Sequence, residues 1–469
     1  MNTTATLQTP SLKPEQSATN KQSRIMSIDI LRGFIMLTML FVNDVAATPK
    51  LWWWSKHFYP YNESGMTYVD VVFPAFLFIV GMSVPFALSK QLQTKPLYKV
   101  LLHIFTRTAS LLLLGFFTVN GADYEKMGWY NGAWQILVYT SCIALYIQFP
   151  SPQSNQSSNR KLDFRKYTNI IIKSLAVISL SIAWYFFQNK NGEAMRPHWW
   201  GILGLIGWVY LLTSLTYIIF RNNLFALAFA MGIFIAMYLS HRPIQPATWK
   251  LPDDPAFHTL PHLNFIYRIK YIPMSITMLT AISLAGTLLA SAIKFGSPNS
   301  NGSFTNTNAA KLKFALIFAA ALAFAGYLLH YPHGVLKNGA TPAWGLYCSA
   351  ITTIIWIIFF IIFDMLKHKK LGTALAYTGQ NALLAYLLHP LLIWIQIAIN
   401  TATSLNENIP EASRFWITPM AFGQQQISIW GNTITFPQPY TGITRSALTA
   451  IIILSFTAYI ARKKCLLKL

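Results

Sequence analysis

The stretch from Lys56 to Gly81, KHFYPYNESGMTYVDVVFPAFLFIVG, places a histidine (His57), an Asn and a Gly (Asn62, Gly65) and an acid (Asp70) just ahead of an apolar run. Imidazole titrates close to neutral pH, so it can take or give a proton where most side chains cannot. The plainer readings also stand on residue type alone. A lone loop histidine is ordinarily solvated, and an acid in the first turn of a helix answers the macrodipole. Pro74, inside the run, removes a backbone hydrogen bond and can kink the helix. Gly81 lets another helix come close.

Other polar groups sit inside apolar runs, where ionisable side chains are costly and mark function by default. SIDILRGFIMLTMLFVND carries Asp29, Arg32, Asn43 and Asp44. Asp29 and Arg32 are three apart and share a helix face, either as an ion pair fixing the helix or as an anchor for an anionic ligand. HGVLKNGATPAWGLYCSA offers Asn338, Thr341, Pro342 and Trp344, and YTGQNALLAYLLHPLLIW offers Gln380, Asn381 and His389. His389 precedes Pro390 and can line a cavity, whereas Gln380 and Asn381 suit interhelical hydrogen bonds. No metal is expected. His258-x3-His262 contains Pro261, His330-x2-His333 spans Pro332, and neither has the Cys or Glu partners of a zinc site. Cys142, Cys348 and Cys465 are scattered, with no C-x-x-C pair.

The elements that must position these groups are membrane helices. The chain is 54% hydrophobic and only 11% charged, against about 25% charged in soluble domains. A net charge of +22 would suggest nucleic acid in a soluble protein. Here the basic residues lie between apolar runs, which is the signature of topology rather than of a nucleic-acid partner. A helix needs roughly 20 apolar residues to span the hydrocarbon core. On that measure the chain predicts an all-α polytopic membrane protein of about twelve spans (eleven if the sixth and seventh fuse). The spans fall near 26–45, 68–89, 99–119, 131–149, 168–187, 200–220, 223–239, 272–293, 312–330, 343–365, 373–399 and 443–461. With both termini cytoplasmic, the inside segments take the larger share of Lys and Arg, including Arg160, Lys161, Arg165, Lys166, Lys367, Lys369 and Lys370. Residues 1–23 read as a disordered cytoplasmic tail, and 24–469 as one transmembrane domain with its signature region at 24–90. The inside linkers are 150–167 and 295–311; the outside loops are 46–67, 240–271 and 400–442. Trp52, Trp53 and Trp54 suit an interfacial aromatic belt.

Four stretches taken in order carry a resemblance: RIMSIDILRGFIMLTMLFVN, the segment from His57 through GMTYVDVVFPAFLFIVGMS, KNGATPAWGLYCSA and GQNALLAY. Together they resemble the heparan-α-glucosaminide N-acetyltransferase family, whose W-N-G-x-T-x-A-D-L-V-F-P-x-F-L-F-I-M-G is closest to the segment around Asp70. HWWGILGLIGWVYL, from His198, is similar to the bacterial branch of that group. The resemblance implies a multi-pass acyltransferase of the bacterial inner membrane, with its active site towards the periplasm. It implies acetyl-CoA as cytoplasmic co-substrate and the glucosamine-type amine of a periplasmic sugar as acceptor. His57 takes the place of the family's catalytic histidine, as general base or acetyl carrier, and Asn43 the place of its Asn at the outer helix end. Asn43 or Asn62 would donate to the developing oxyanion and Asp70 would orient the imidazole. Asn62, Gly65, Asp44, Trp344 and His389 would then meet the acceptor, and Asp29, Arg32 and Asn381 the CoA. The family's W-N-G is here Tyr61-Asn62-Glu63-Ser64-Gly65, an expansion that bears on the acceptor.

Two other functions share parts of this layout: an O-acyltransferase of an envelope polysaccharide, and a secondary transporter, which would show two related halves and discontinuous helices. The expected partners are an amino sugar or oligosaccharide, membrane lipid and, from the family, a second copy of the chain.

Overall fold

A computed structural model of the chain describes residues 25–46, 48, 50–58, 64–121, 130–149, 159–189, 191–241, 274–298, 304–305, 307–404, 426–429, 432–435 and 439–469. The tail 1–23, Asn62, His258, His262 and much of the loops 240–271 and 400–442 lie outside them.

The described residues form helices α1 (Met26–Val45), α2 (Tyr68–Thr94), α3 (Leu97–Asn120), α4 (Tyr130–Tyr146), α5 (Asn159–Tyr185), α6 (Gly201–Phe220) and α7 (Leu224–His241). They continue as α8 (Met274–Phe295), α9 (Asn308–His333), α10 (Pro342–Phe359), α11 (Lys369–Gln380), α12 (Ala382–Ser404) and α13 (Tyr440–Arg462). Among the described residues, ten helical stretches are long and apolar enough to cross a membrane, and Gly132–Tyr146 and Leu224–Ser240 are shorter apolar helices. The chain is an all-α polytopic membrane protein.

Helix α8 is the axis of the bundle, buried continuously from residue 276 to 293. Its buried Thr277, Thr280, Ser283, Thr287 and Ser291 are small enough to let neighbouring backbones approach. The tightest approach is to α2 and is reciprocal: a Cβ on Gly81 would run into the Ser283 carbonyl, and one on Gly286 into the Phe78 carbonyl.

Two prolines inside α2 each free a carbonyl four residues earlier. Pro74 leaves the Asp70 C=O without a helical donor, and the Trp344 indole of α10 supplies one at 3.2 Å. Pro85 leaves the Gly81 C=O, which accepts from the Thr287 hydroxyl of α8 at 3.1 Å. The kinked helix is thus sewn to both neighbours at the points where its own ladder fails.

The run 373–399 was expected as one span and folds as two helices, α11 and α12, broken at Asn381. The Asn381 amide donates to the Cys465 carbonyl at 3.2 Å and accepts from the Leu467 amide at 2.8 Å. It thereby holds a short strand, Leu466–Leu467, which pairs with Ile147–Gln148 after α4. Between α6 and α7 the chain does turn at Arg221-Asn222-Asn223. Arg221 is left-handed (φ 46°), and Asn223 Oδ1 accepts from the Ala226 amide at 3.1 Å. At the start of α1, Ile25 offers no capping side chain. Asp364, beyond α10, fills the gap, accepting from the Met26 and Ser27 amides at 3.0 Å each.

Candidate active site

Asp70 is the third residue of α2, where an acid can reach back over the helix start. Its Oδ2 accepts from the Thr67 amide and from the Phe58 amide, both at 3.0 Å. Its Oδ1 lies 2.8 Å from His57 Nδ1. The carboxylate, 1% exposed, therefore ties the helix start to the loop carrying His57 and orients the ring. A carboxylate only accepts, so the Nδ1 proton faces Asp70 and the Nε2 electron pair is left for other partners. Lys337, in the loop between α9 and α10, places Nζ 3.0 Å from Nε2 and 2.8 Å from Nδ1, with Asp70 Oδ1 at 3.7 Å. Burial pushes the Lys337 ammonium below the usual lysine range, with the Asp70 charge working against that shift.

His57 and Lys337 face a cavity of about 580 Å³, which Asn43, Asn338 and Trp344 also line, with Asp70 behind the imidazole. Across it stand His198, Trp199 and Trp200, from a turn in which His198 (φ 46°) and Trp200 (φ 68°) are both left-handed. Non-glycine residues rarely hold that conformation, and it recurs where function fixes a side chain. Gly65 donates its amide to the Val335 carbonyl at 3.0 Å, joining the loop after His57 to the loop of Lys337. Beside it Ser64 Oγ accepts from the Val335 amide at 2.8 Å and lies 2.9 Å from His330 Nε2.

The structure thus brings together His57, Asp70, Asn43, Trp344 and Gly65, while Asn62 is outside the described residues. Asp44 and His389 gather elsewhere, between α1, α12 and α13. Asp44 accepts from Ser446 Oγ at 2.6 Å and Arg445 Nε at 3.3 Å, and His389 Nε2 stands 3.7 Å away. Asn381 is occupied with the C-terminal strand, as described above. Lys337 was not singled out from sequence. It opens the quoted KNGATPAW run, but a lone loop lysine reads as a topological charge.

Towards the other end of α1, Arg32 pairs with Asp29 at 3.2 Å and donates to Ser83 Oγ at 2.6 Å and to the Gly379 carbonyl at 3.2 Å. Arg32 borders a second cavity of about 440 Å³, lined also by Ser83, His103, Arg107, Gln380 and Lys468. Among the described residues Arg107 Nε, which is buried, meets no hydrogen-bond partner, and the guanidinium lies 4.7 Å over the Tyr210 ring. Met39 and Ile202 border both cavities, so the two adjoin at these side chains.

Residues 24–293 match the family described as a domain of unknown function, DUF5009. Among curated proteins the chain is similar to the heparan-alpha-glucosaminide N-acetyltransferases of Homo sapiens (33% identical over 98 residues, 21% of this chain) and Mus musculus (27% over 173 residues, 34% of this chain). The aligned parts cover 14% and 25% of those relatives' own length.

Proposed function

The chain belongs to the DUF5009 family, and from that premise and the surroundings of His57 we propose that it is a membrane N-acetyltransferase. It moves acetyl from cytoplasmic acetyl-CoA to a glucosamine-type amine on the periplasmic side of a bacterial inner membrane. One observation carries the reading: an Asp-oriented imidazole faces a cavity that abuts a second, basic cavity across Met39 and Ile202.

In this reading the CoA phosphates lie in the basic cavity, met by Arg32, Arg107 and Lys468. Arg107 supports this most directly, because a buried guanidinium nitrogen without a partner is costly until an anion takes it up. Arg32 and Asn43, on the borders of the two cavities, are about 16 Å apart along α1 at 1.5 Å per residue. An extended pantetheine arm covers that distance once Met39 and Ile202 give way.

At the other end, Asp70 holds the His57 Nδ1 proton, so Nε2 can take the proton that the acceptor nitrogen sheds on attacking the thioester. The alternative order, in which Nε2 first accepts the acetyl group, uses the same orientation. Asn43 borders the cavity at the right end of α1 to bond the acceptor or the developing oxyanion.

Labelled acetyl-CoA offered to the purified protein with glucosamine, with N-acetylglucosamine and without sugar tests this. Amide-linked label on glucosamine alone is expected. Ester-linked label on both sugars would make it an O-acyltransferase, and no turnover together with sugar uptake into vesicles would make it a transporter.

A further inference from the structure

Lys337 has no part in the reaction as drawn so far, yet its position is closely built. Gly334 (φ 63°) and Ala340 (φ 47°) bend its loop through left-handed conformations. The Thr341 hydroxyl donates to the Gly334 carbonyl at 2.9 Å and accepts from the Leu336 amide at 3.0 Å. The Tyr238 hydroxyl holds the Gly339 carbonyl at 2.7 Å. Such a frame is more than a solvated surface charge requires.

Resting on the acetyl-transfer reading, we propose that Lys337 is a catalytic residue, its ammonium bonding the acetyl carbonyl oxygen as negative charge gathers there. With acceptor bound, the amine nitrogen takes the place beside Nε2 that Nζ holds in the structure, 3.0 Å away, and Nζ turns to the thioester oxygen. The amine nitrogen forms its bond to the carbonyl carbon and its proton passes to Nε2. The C–O pair moves onto oxygen against the Lys337 ammonium, then re-forms the carbonyl as the C–S bond breaks. The sulfur leaves with that bond's electrons and takes the proton from His57. Lys337 stays protonated throughout.

The same lysine is a poor nucleophile for this task. An acetyl group on Nζ would be an amide, from which no acceptor amine could retrieve it, and the Asp70 carboxylate 3.7 Å away favours the charged form. Among the described residues, the titratable groups beside Lys337 are His57 and, from α2, Asp70, with His198 across the cavity; Cys348 of α10 lies behind them against the Asp70 carbonyl. His330 of α9 adjoins through Ser64. Because burial lowers the Lys337 pKa, the ammonium is lost as pH rises, below the ordinary lysine value of about 10.4. On the alkaline side the rate should therefore fall as pH rises through that folded-state pKa, while on the acid side it still needs His57 Nε2 unprotonated.

The test compares wild type, Lys337→Met and Lys337→Arg, full length in lipid nanodiscs, with labelled acetyl-CoA and glucosamine. CoA-induced thermal stabilisation serves as the control for folding. Lys337→Met should lower kcat by about 10²–10³-fold, the usual cost of one oxyanion donor, with CoA stabilisation kept. Lys337→Arg should recover part of the rate and shift the alkaline fall to higher pH, which a merely structural lysine would not do. The proposal is overturned if Lys337→Met stays within threefold of wild type, if the alkaline fall is unchanged in Lys337→Arg, or if mass spectrometry finds acetyl on Lys337 after turnover. If wild type itself transfers no acetyl group, the functional reading fails first, so the two failures are separable.

Discussion

At the scale of single residues, the site rests on one carboxylate with several tasks. Asp70 takes the Thr67 and Phe58 amides and fixes His57. Asp70→Asn keeps the shape but offers an amide where the His57 Nδ1 proton needs an acceptor. Its kcat should fall about 10²–10⁴-fold, the upper end being the loss measured for the analogous change in a serine protease triad, while CoA-induced stabilisation is little changed. Near-wild-type turnover by this variant would remove Asp70 from the reaction. His57 and Asp70 were legible in the sequence because their context matched a known pattern. Lys337 was not, because its meaning lies in a contact 280 positions away along the chain. Asp44 and His389 show the opposite case: both are polar groups in spans, yet they sit with Arg445 and Ser446.

At the scale of elements, the kinks of α2 decide how the site is held. Pro74 marks the kink in the sequence, but only the packed bundle shows that the freed Asp70 carbonyl is taken by Trp344. Trp344→Phe keeps most of the ring volume and removes the donor. It should cost about 1 kcal/mol, the low end of the penalty for a buried carbonyl losing its donor, since the weak Cys348 thiol contact remains. This is read as a lower unfolding temperature, together with reduced turnover because Asp70 is the residue displaced. Thr287→Val orphans the Gly81 carbonyl by the same logic and should destabilise by a similar amount without touching kcat. If both variants melt like wild type, the carbonyls have other donors. The break at Asn381 escaped a reading by hydropathy because the run 373–399 is apolar enough on average to pass as one span, with Thr378-Gly379-Gln380-Asn381 read as polar groups within it. What interrupts it is the hydrogen bonding of the C-terminal strand, which no local pattern encodes.

At the scale of the whole molecule, composition alone identified a polytopic helical protein, since burying so few charges among so many apolar runs leaves few other folds. The order of the spans was legible from hydropathy, whereas the two abutting cavities were not, since each is assembled from helices far apart in the chain. Met39 and Ile202, at the border of both, carry no polar signal. Filling that border with Met39→Trp should leave CoA-induced stabilisation in place and suppress acetyl transfer, measured by labelled product; undiminished transfer would mean the arm takes another route. The central claim joins both cavities to His57. Its most direct test seals glucosamine inside proteoliposomes, supplies labelled acetyl-CoA only outside, and compares wild type with His57→Ala. The account predicts label on the trapped sugar with wild type and none above background with His57→Ala. Equal labelling by the two, or labelling only when acetyl-CoA and sugar share a compartment, would contradict it.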